Sequence, residues 1–173
     1  MKRCSSLVKI TVYLIKNYMS RLLFCAILSI TLFTSCNKDK CDFGECDKVA
    51  PANEIQAVQD YLNVNGITNA TQHCSGLFYV IDNPGTGKTT DACGAIDVDH
   101  IGMLTNGTVF SQGRFQTEMI VLVDGWRIGL PKIKEGGQMT LYIPPTLGYG
   151  NVPNGPIPAN SILIFTVDLI SVL

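Results

Sequence analysis

The hydrophobic pattern of the chain changes period several times, and each change marks an element. An apolar run covers residues 22–33 and ends in the small residues Thr34 and Ser35. From position 53 the spacing becomes helical: Ile55, Val58, Tyr61 and Leu62 share one face, Asn53 is placed as N-cap, Glu54 falls in the first turn and Gly66 stops the run. Residues 76–82 then read as a strand closed by the turn Asn83-Pro84-Gly85. Residues 95–104 alternate apolar with polar, as a half-exposed strand does. Asn106-Gly107 is a hairpin signal, and residues 108–110 return as the partner strand. A polar turn is predicted over residues 111–114, followed by a mainly apolar stretch over 115–123. Gly125-Trp126 opens a short segment that Pro131 limits to a brief helix or two turns before Gly136-Gly137.

The last third of the chain carries the least ordinary pattern. Leu141 and Ile143 alternate with Thr140 and Tyr142 until Pro144 and Pro145 end the ladder, and an apolar, β-branched strand resumes over residues 161–172. The connection between them exceeds a dozen residues and carries Tyr149, Ile157 and Pro158. Connections that long inside a compact domain are functional or disordered, and the density of prolines between two strong strands favours an ordered, functional loop. The sum is an α+β chain with several antiparallel strands and one short helix late in the sequence.

The N-terminus changes the accounting. Five basic residues and no acidic one precede Cys36, and with the apolar run they compose a signal peptide over residues 1–35, within which Met19 could be the true start. The apolar core is short of the ~20 residues of a membrane span. An ordinary N-terminal anchor helix is the rival reading. Thr34-Ser35-Cys36 resembles the lipobox of bacterial lipoproteins, in which Cys36 would be diacylated and become the mature N-terminus. A polar tether over residues 36–52 and a helical extension over 53–75 would then precede a domain at 76–173. Without residues 1–35 the chain has eight Lys/Arg against fourteen Asp/Glu, a net charge of −6, which argues against a nucleic-acid partner. An envelope location permits two disulfides among Cys41, Cys46, Cys74 and Cys93, in any of three pairings. Zinc is the rival use of these cysteines, but neither His73 nor His100 completes a compact ligand spacing.

One motif is a decoy. Gly85-Thr86-Gly87-Lys88-Thr89 looks like the end of a phosphate-binding loop, yet the first glycine of that motif falls on Asp82, whose charge repels phosphate, and no amphipathic helix follows.

Other strings carry a family resemblance in order and nearly in spacing: Tyr79-Val80-Ile81, Gly102-Met103-Leu104, Asn106-Gly107-Thr108-Val109-Phe110, Gly125-Trp126, Gly129-Leu130, Gly136-Gly137, Tyr142-Ile143-Pro144-Pro145, Gly148-Tyr149-Gly150, Ile157-Pro158, Asn160-Ser161 and Phe165. Residues 76–173 thereby resemble the FK506-binding type of peptidyl-prolyl isomerase. The resemblance implies a curved antiparallel sheet of five or six strands wrapped around a short helix after Trp126. The signal and the N-terminal helix resemble those of lipid-anchored Bacteroidetes members, placing the protein in the cell envelope of a Gram-negative bacterium.

It also implies site residues. Trp126 would floor a pocket for the proline ring, with Phe110, Val123 and Phe165 as walls and Phe115 and Leu122 beside them. The Val123 N–H and the Tyr149 hydroxyl would be the donors, and Ile157 would cover the pocket. His100 and Ser111 stand where the family carries tyrosine and aspartate, so the polar rim is altered. Proline-containing polypeptides are the implied partners, with FK506-like macrolides as possible ligands; no cofactor or metal is called for, and a monomer is expected. Two functions follow: an isomerase assisting folding, or a catalytically weak module that binds proline-containing segments.

Overall fold

The computed structural model describes residues 41–173. Helix α1 (Ala52–Val64) is followed by β1 (Thr71–Gln72), β2 (Phe78–Asn83), β3 (Ala95–Leu104), β4 (Val109–Glu118), α2 (Asp124–Gly129), β5 (Gly137–Ile143) and β6 (Leu163–Val172). The six strands make one sheet in the order β1-β2-β5-β6-β3-β4, with every pairing antiparallel. The signal peptide, Cys36 and residues 36–40 of the expected tether lie outside the described residues.

Period-2 alternation assigns each strand residue to one of two apolar layers. Met139, Leu141 and Ile143 of β5 and Leu163, Phe165, Val167 and Leu169 of β6 face the main core with Trp126 and Ile128. Their intervening neighbours Tyr142 and Ile164 join Phe78 and Val80 of β2 on the opposite face, where Val58 and Leu62 of α1 cover them. Helix α2 therefore fills one face of the sheet and α1 the other. Close packing of α2 depends on Gly125: a Cβ there would lie 2.6 Å from Ile143 Cδ1.

Four local expectations change. Residues 111–114 are not a turn but continue β4, whose polar side chains belong to a sheet-edge strand open to water. β3 is more buried than its alternation suggests, because it lies between β4 and β6, and Asp97 is satisfied inside it by Arg114 and Gln116. Trp126 lies inside α2 rather than before it. At the start of α1 the N-cap is Pro51, not Asn53; the Pro51 carbonyl accepts from the amides of Glu54 and Ile55.

Residues 41–50, the later part of the segment read as a tether, run along α2. Disulfides join Cys41 to Cys93 and Cys46 to Cys74, which selects one of the three pairings and takes up the sulfurs that a metal would need. Lys48 pairs with Asp124 at 2.8 Å, Glu45 with Lys132 at 2.7 Å, and the Arg127 guanidinium stacks 3.9 Å from the Phe43 ring centre. The Lys132 hydrogen bond, with a smaller contribution from His73, holds the Glu45 carboxyl below the ordinary carboxylate range. Among the described residues no helix is long and apolar enough to cross a membrane.

Candidate functional site

A cleft of about 390 Å³ opens over the N-terminal end of α2. Its base is Trp126, 3% exposed, with Phe165 edge-on to it at 5.1 Å between ring centres and 83° between planes. Phe110 meets Phe165 edge-on at 5.4 Å, and Phe115 lies tilted against Trp126 at 6.1 Å. Such edge-to-face contacts fix the ring orientations, so the cleft has preset walls.

Local backbone geometry explains why the walls meet. The pairing of β3 with β4 shifts register between Gly102 and Met103: Gly102 faces Ser111 while Met103 faces Val109, leaving Phe110 as the extra residue of a bulge. A bulge breaks the alternation of sides, which lets the consecutive residues Phe110 and Ser111 both line the cleft. Gly102 makes room for them, since a Cβ there would lie 2.6 Å from Phe165 and 2.8 Å from Phe110.

The polar groups are few. His100 is 7% exposed and stands edge-on to Phe115 and Trp126 at 5.1 and 5.7 Å. Its Nδ1 lies 2.7 Å from the Gly113 carbonyl and its Nε2 2.8 Å from Ser111 Oγ. A carbonyl only accepts, so the network assigns the proton to Nδ1; in the neutral ring Nε2 then accepts from the Ser111 hydroxyl. Val123 precedes α2 in extended conformation, and among the described residues no acceptor takes its N–H. The Tyr149 hydroxyl likewise has no partner among the described residues, and the side chain is 39% exposed at the cleft mouth. The lining is mainly apolar and aromatic, with His100, Ser111, Tyr149 and Asn154 as its polar side chains.

The cleft brings together all ten residues the sequence nominated: Phe110, Val123, Trp126, Tyr149 and Phe165, with His100, Ser111, Phe115, Leu122 and Ile157. Ile157 comes from the 144–162 connection, which is ordered by a 3₁₀ turn at Pro145–Leu147 and by paired hydrogen bonds between Asn154 and Ile157. Sequence reasoning missed Val121, Asn154 and Pro156. Val121 sits in the apolar stretch before Gly125-Trp126 and gave a usable signal; Asn154 and Pro156 looked like ordinary turn residues.

Comparison with known proteins places this geometry. The family description "FKBP-type peptidyl-prolyl cis-trans isomerase" matches residues 87–170. The FKBP-type peptidyl-prolyl cis-trans isomerase FkpA of Buchnera aphidicola (subsp. Schizaphis graminum) is 37% identical over 134 residues, 74% of this chain and 53% of that protein. Escherichia coli K12 FkpA is 34% identical over 103 residues, 57% of this chain and 38% of that protein. The chain thus spans about half the length, or less, of these curated relatives. The crystal structure of Escherichia coli FkpA superposes with a TM-score of 0.62 at 29% identity, covering 70% of this chain and 60% of that one. A peptidyl-prolyl cis-trans isomerase from Pseudomonas syringae pv. tomato gives a TM-score of 0.62 at 26% identity, covering 71% of this chain and 96% of that one.

Proposed function

The domain over residues 87–170 belongs to the FKBP-type peptidyl-prolyl cis-trans isomerases, and from that premise we propose that this chain isomerises X-Pro bonds of polypeptides outside the inner membrane and so assists their folding. The observation that carries the reading is the aromatic cleft itself, floored by Trp126 and walled by Phe110, Phe115 and Phe165. An X-Pro bond isomerises over a barrier of roughly 18–20 kcal/mol because its planar amide must lose resonance. The twisted amide has less charge separation than the planar one. An apolar, water-poor cleft therefore favours the twisted state, and each ~1.4 kcal/mol taken from the barrier is tenfold in rate.

In this mechanism the proline ring stacks on Trp126. The Val123 N–H holds a substrate carbonyl, Tyr149 donates a second hydrogen bond, and Ile157 excludes water from above. The His100–Ser111 pair forms the polar rim and governs which residues flank the proline. Macrolides of the FK506 class carry a ring that mimics proline and would compete for the same floor.

The cell-envelope location rests on the basic-then-apolar N-terminus ending at Cys36 and on the two disulfides. The anchor would be a diacylated Cys36, and the protein would act as a monomer. Cys36→Ser should abolish labelling by a palmitate analogue, and globomycin should leave a labelled precursor with its leader uncleaved; unchanged labelling of Cys36→Ser contradicts the anchor. Exchange NMR on an X-Pro peptide at catalytic protein concentration tests the function. Accelerated cis–trans exchange supports an isomerase, whereas binding without acceleration makes the protein a proline-segment binding module.

A further inference from the structure

Helix α1 lies outside the matched residues 87–170, yet its first turn touches the loop that carries Tyr149. Glu54 uses both carboxylate oxygens on one residue: Oε2 accepts from the Thr146 N–H and Oε1 from the Thr146 hydroxyl, each at 2.8 Å. Thr146 is the middle residue of the 3₁₀ turn Pro145–Leu147, whose Pro145 carbonyl accepts from the amides of both Gly148 and Gly150 at 2.9 Å. Those two glycines flank Tyr149. The far side of the loop closes on the same point, since the Asn160 amide donates to the Gly150 carbonyl at 2.8 Å.

The helix presenting Glu54 is itself well fixed. Val58 and Leu62 are buried against the sheet, the Ala50 amide donates to the Ser75 carbonyl at 2.8 Å, and Cys46–Cys74 closes the segment just upstream. A charged acceptor with two short bonds is a stiff connection between this anchored helix and the base of the loop. A donor hydroxyl must sit within roughly half an ångström of its productive position to count in a rate.

We propose that Glu54 is a positioning residue for isomerisation: through Thr146 it sets the place of the Tyr149 hydroxyl over the cleft. The proposal rests on the isomerase reading and makes α1 a working part of the site. Without the carboxylate, the Pro145–Leu147 turn keeps its own backbone bonds but loses its tie to the helix, and Tyr149 samples a wider mouth.

The test uses the full chain and a double-mutant cycle between Glu54→Ala and Tyr149→Phe, with kcat/KM on an X-Pro peptide and the thermal midpoint measured together. Glu54→Ala should lower kcat/KM by about the factor seen for Tyr149→Phe, and should lower it little further when Tyr149 is already Phe. Glu54→Gln, which keeps an oxygen acceptor, should recover most of the loss. Equal losses in both backgrounds, or no loss in either, would overturn the proposal. Should Glu54→Ala not fold, Thr146→Val removes only the hydroxyl bond and should show the same dependence on Tyr149 at smaller size. Amide exchange at Thr146 gives a readout independent of activity: it should quicken in Glu54→Ala, and an unchanged rate contradicts the proposal. An inactive wild type with that quickening would instead count against the isomerase reading alone.

Discussion

His100 Nε2 and Ser111 Oγ lie 2.8 Å apart across the β3–β4 pair, so the two positions where the chain departs from the family pattern are partners. Where the resemblance leads one to expect a tyrosine hydroxyl and an aspartate, an imidazole and a serine hydroxyl occupy the rim as one unit. The Gly113 carbonyl holds the imidazole by Nδ1, and Ser111 completes it at Nε2. The rim is neutral when the ring is neutral, and no aspartate charge faces the substrate.

This coupling is measurable. Ser111→Ala leaves a buried imidazole nitrogen without its partner and should cost roughly 1–3 kcal/mol in urea unfolding. In a cycle with His100→Phe the two losses should be non-additive by at least ~0.5 kcal/mol. Strict additivity would mean that the two side chains do not hold each other.

Gly102 should be intolerant of any side chain. A methyl group there would press on Phe165 and Phe110, so Gly102→Ala should destabilise the fold by about 1–3 kcal/mol and weaken peptide binding at the cleft. Denaturant unfolding and a peptide titration check both. A variant as stable as wild type would show that the wall can move aside.

Acid stability should depend on Asp97. Its carboxylate accepts from Arg114 through Nε and Nη2 at 2.8 Å and from Gln116 at 2.9 Å, and these bonds, Arg114 first, depress its pKa from 3.8 to about 2. A depressed folded-state pKa contributes stability that is complete above the unfolded-state value and is lost as pH falls through the folded-state value. The urea midpoint should therefore fall between pH 4 and pH 2, and Asp97→Asn should be weaker at neutral pH but show a shallower fall. An equal slope in the variant would assign the acid sensitivity elsewhere.

The two disulfides close segments of 52 and 28 residues. Loop-closure entropy assigns roughly 4 and 3.5 kcal/mol to them. Reductant should lower the thermal midpoint by several degrees or more, and peptide mapping without reductant should recover fragments joining Cys41 to Cys93 and Cys46 to Cys74. Any other pairing would displace residues 41–50 from α2.

What was legible in the sequence follows from which interactions are local. The bounds of β3 could be read to the residue, because its β pattern and the Asn106-Gly107 turn are properties of adjacent positions, whereas its burial depends on the strands on either side. The aromatic lining came through motif resemblance, since alternation alone gives Phe110 and Phe165 an ordinary core role. β4 was misread because water-facing polar residues on an edge strand resemble a turn. The bulge at Phe110 and the bond from Glu54 to Thr146 depend on tertiary placement; the latter spans 92 positions and leaves no local trace.

In the proposed function Trp126 and Tyr149 turn an X-Pro bond over in this cleft. A protease-coupled isomerisation assay on a panel of X-Pro peptides, comparing wild type with Trp126→Leu and Tyr149→Phe, tests it most directly. The wild type should accelerate the exchange, with a loss of about tenfold or more for Trp126→Leu and a smaller loss, roughly two- to tenfold, for Tyr149→Phe, whose hydroxyl supplies one hydrogen bond. A wild-type rate equal to the uncatalysed rate on every peptide, or variants as fast as wild type, would contradict it.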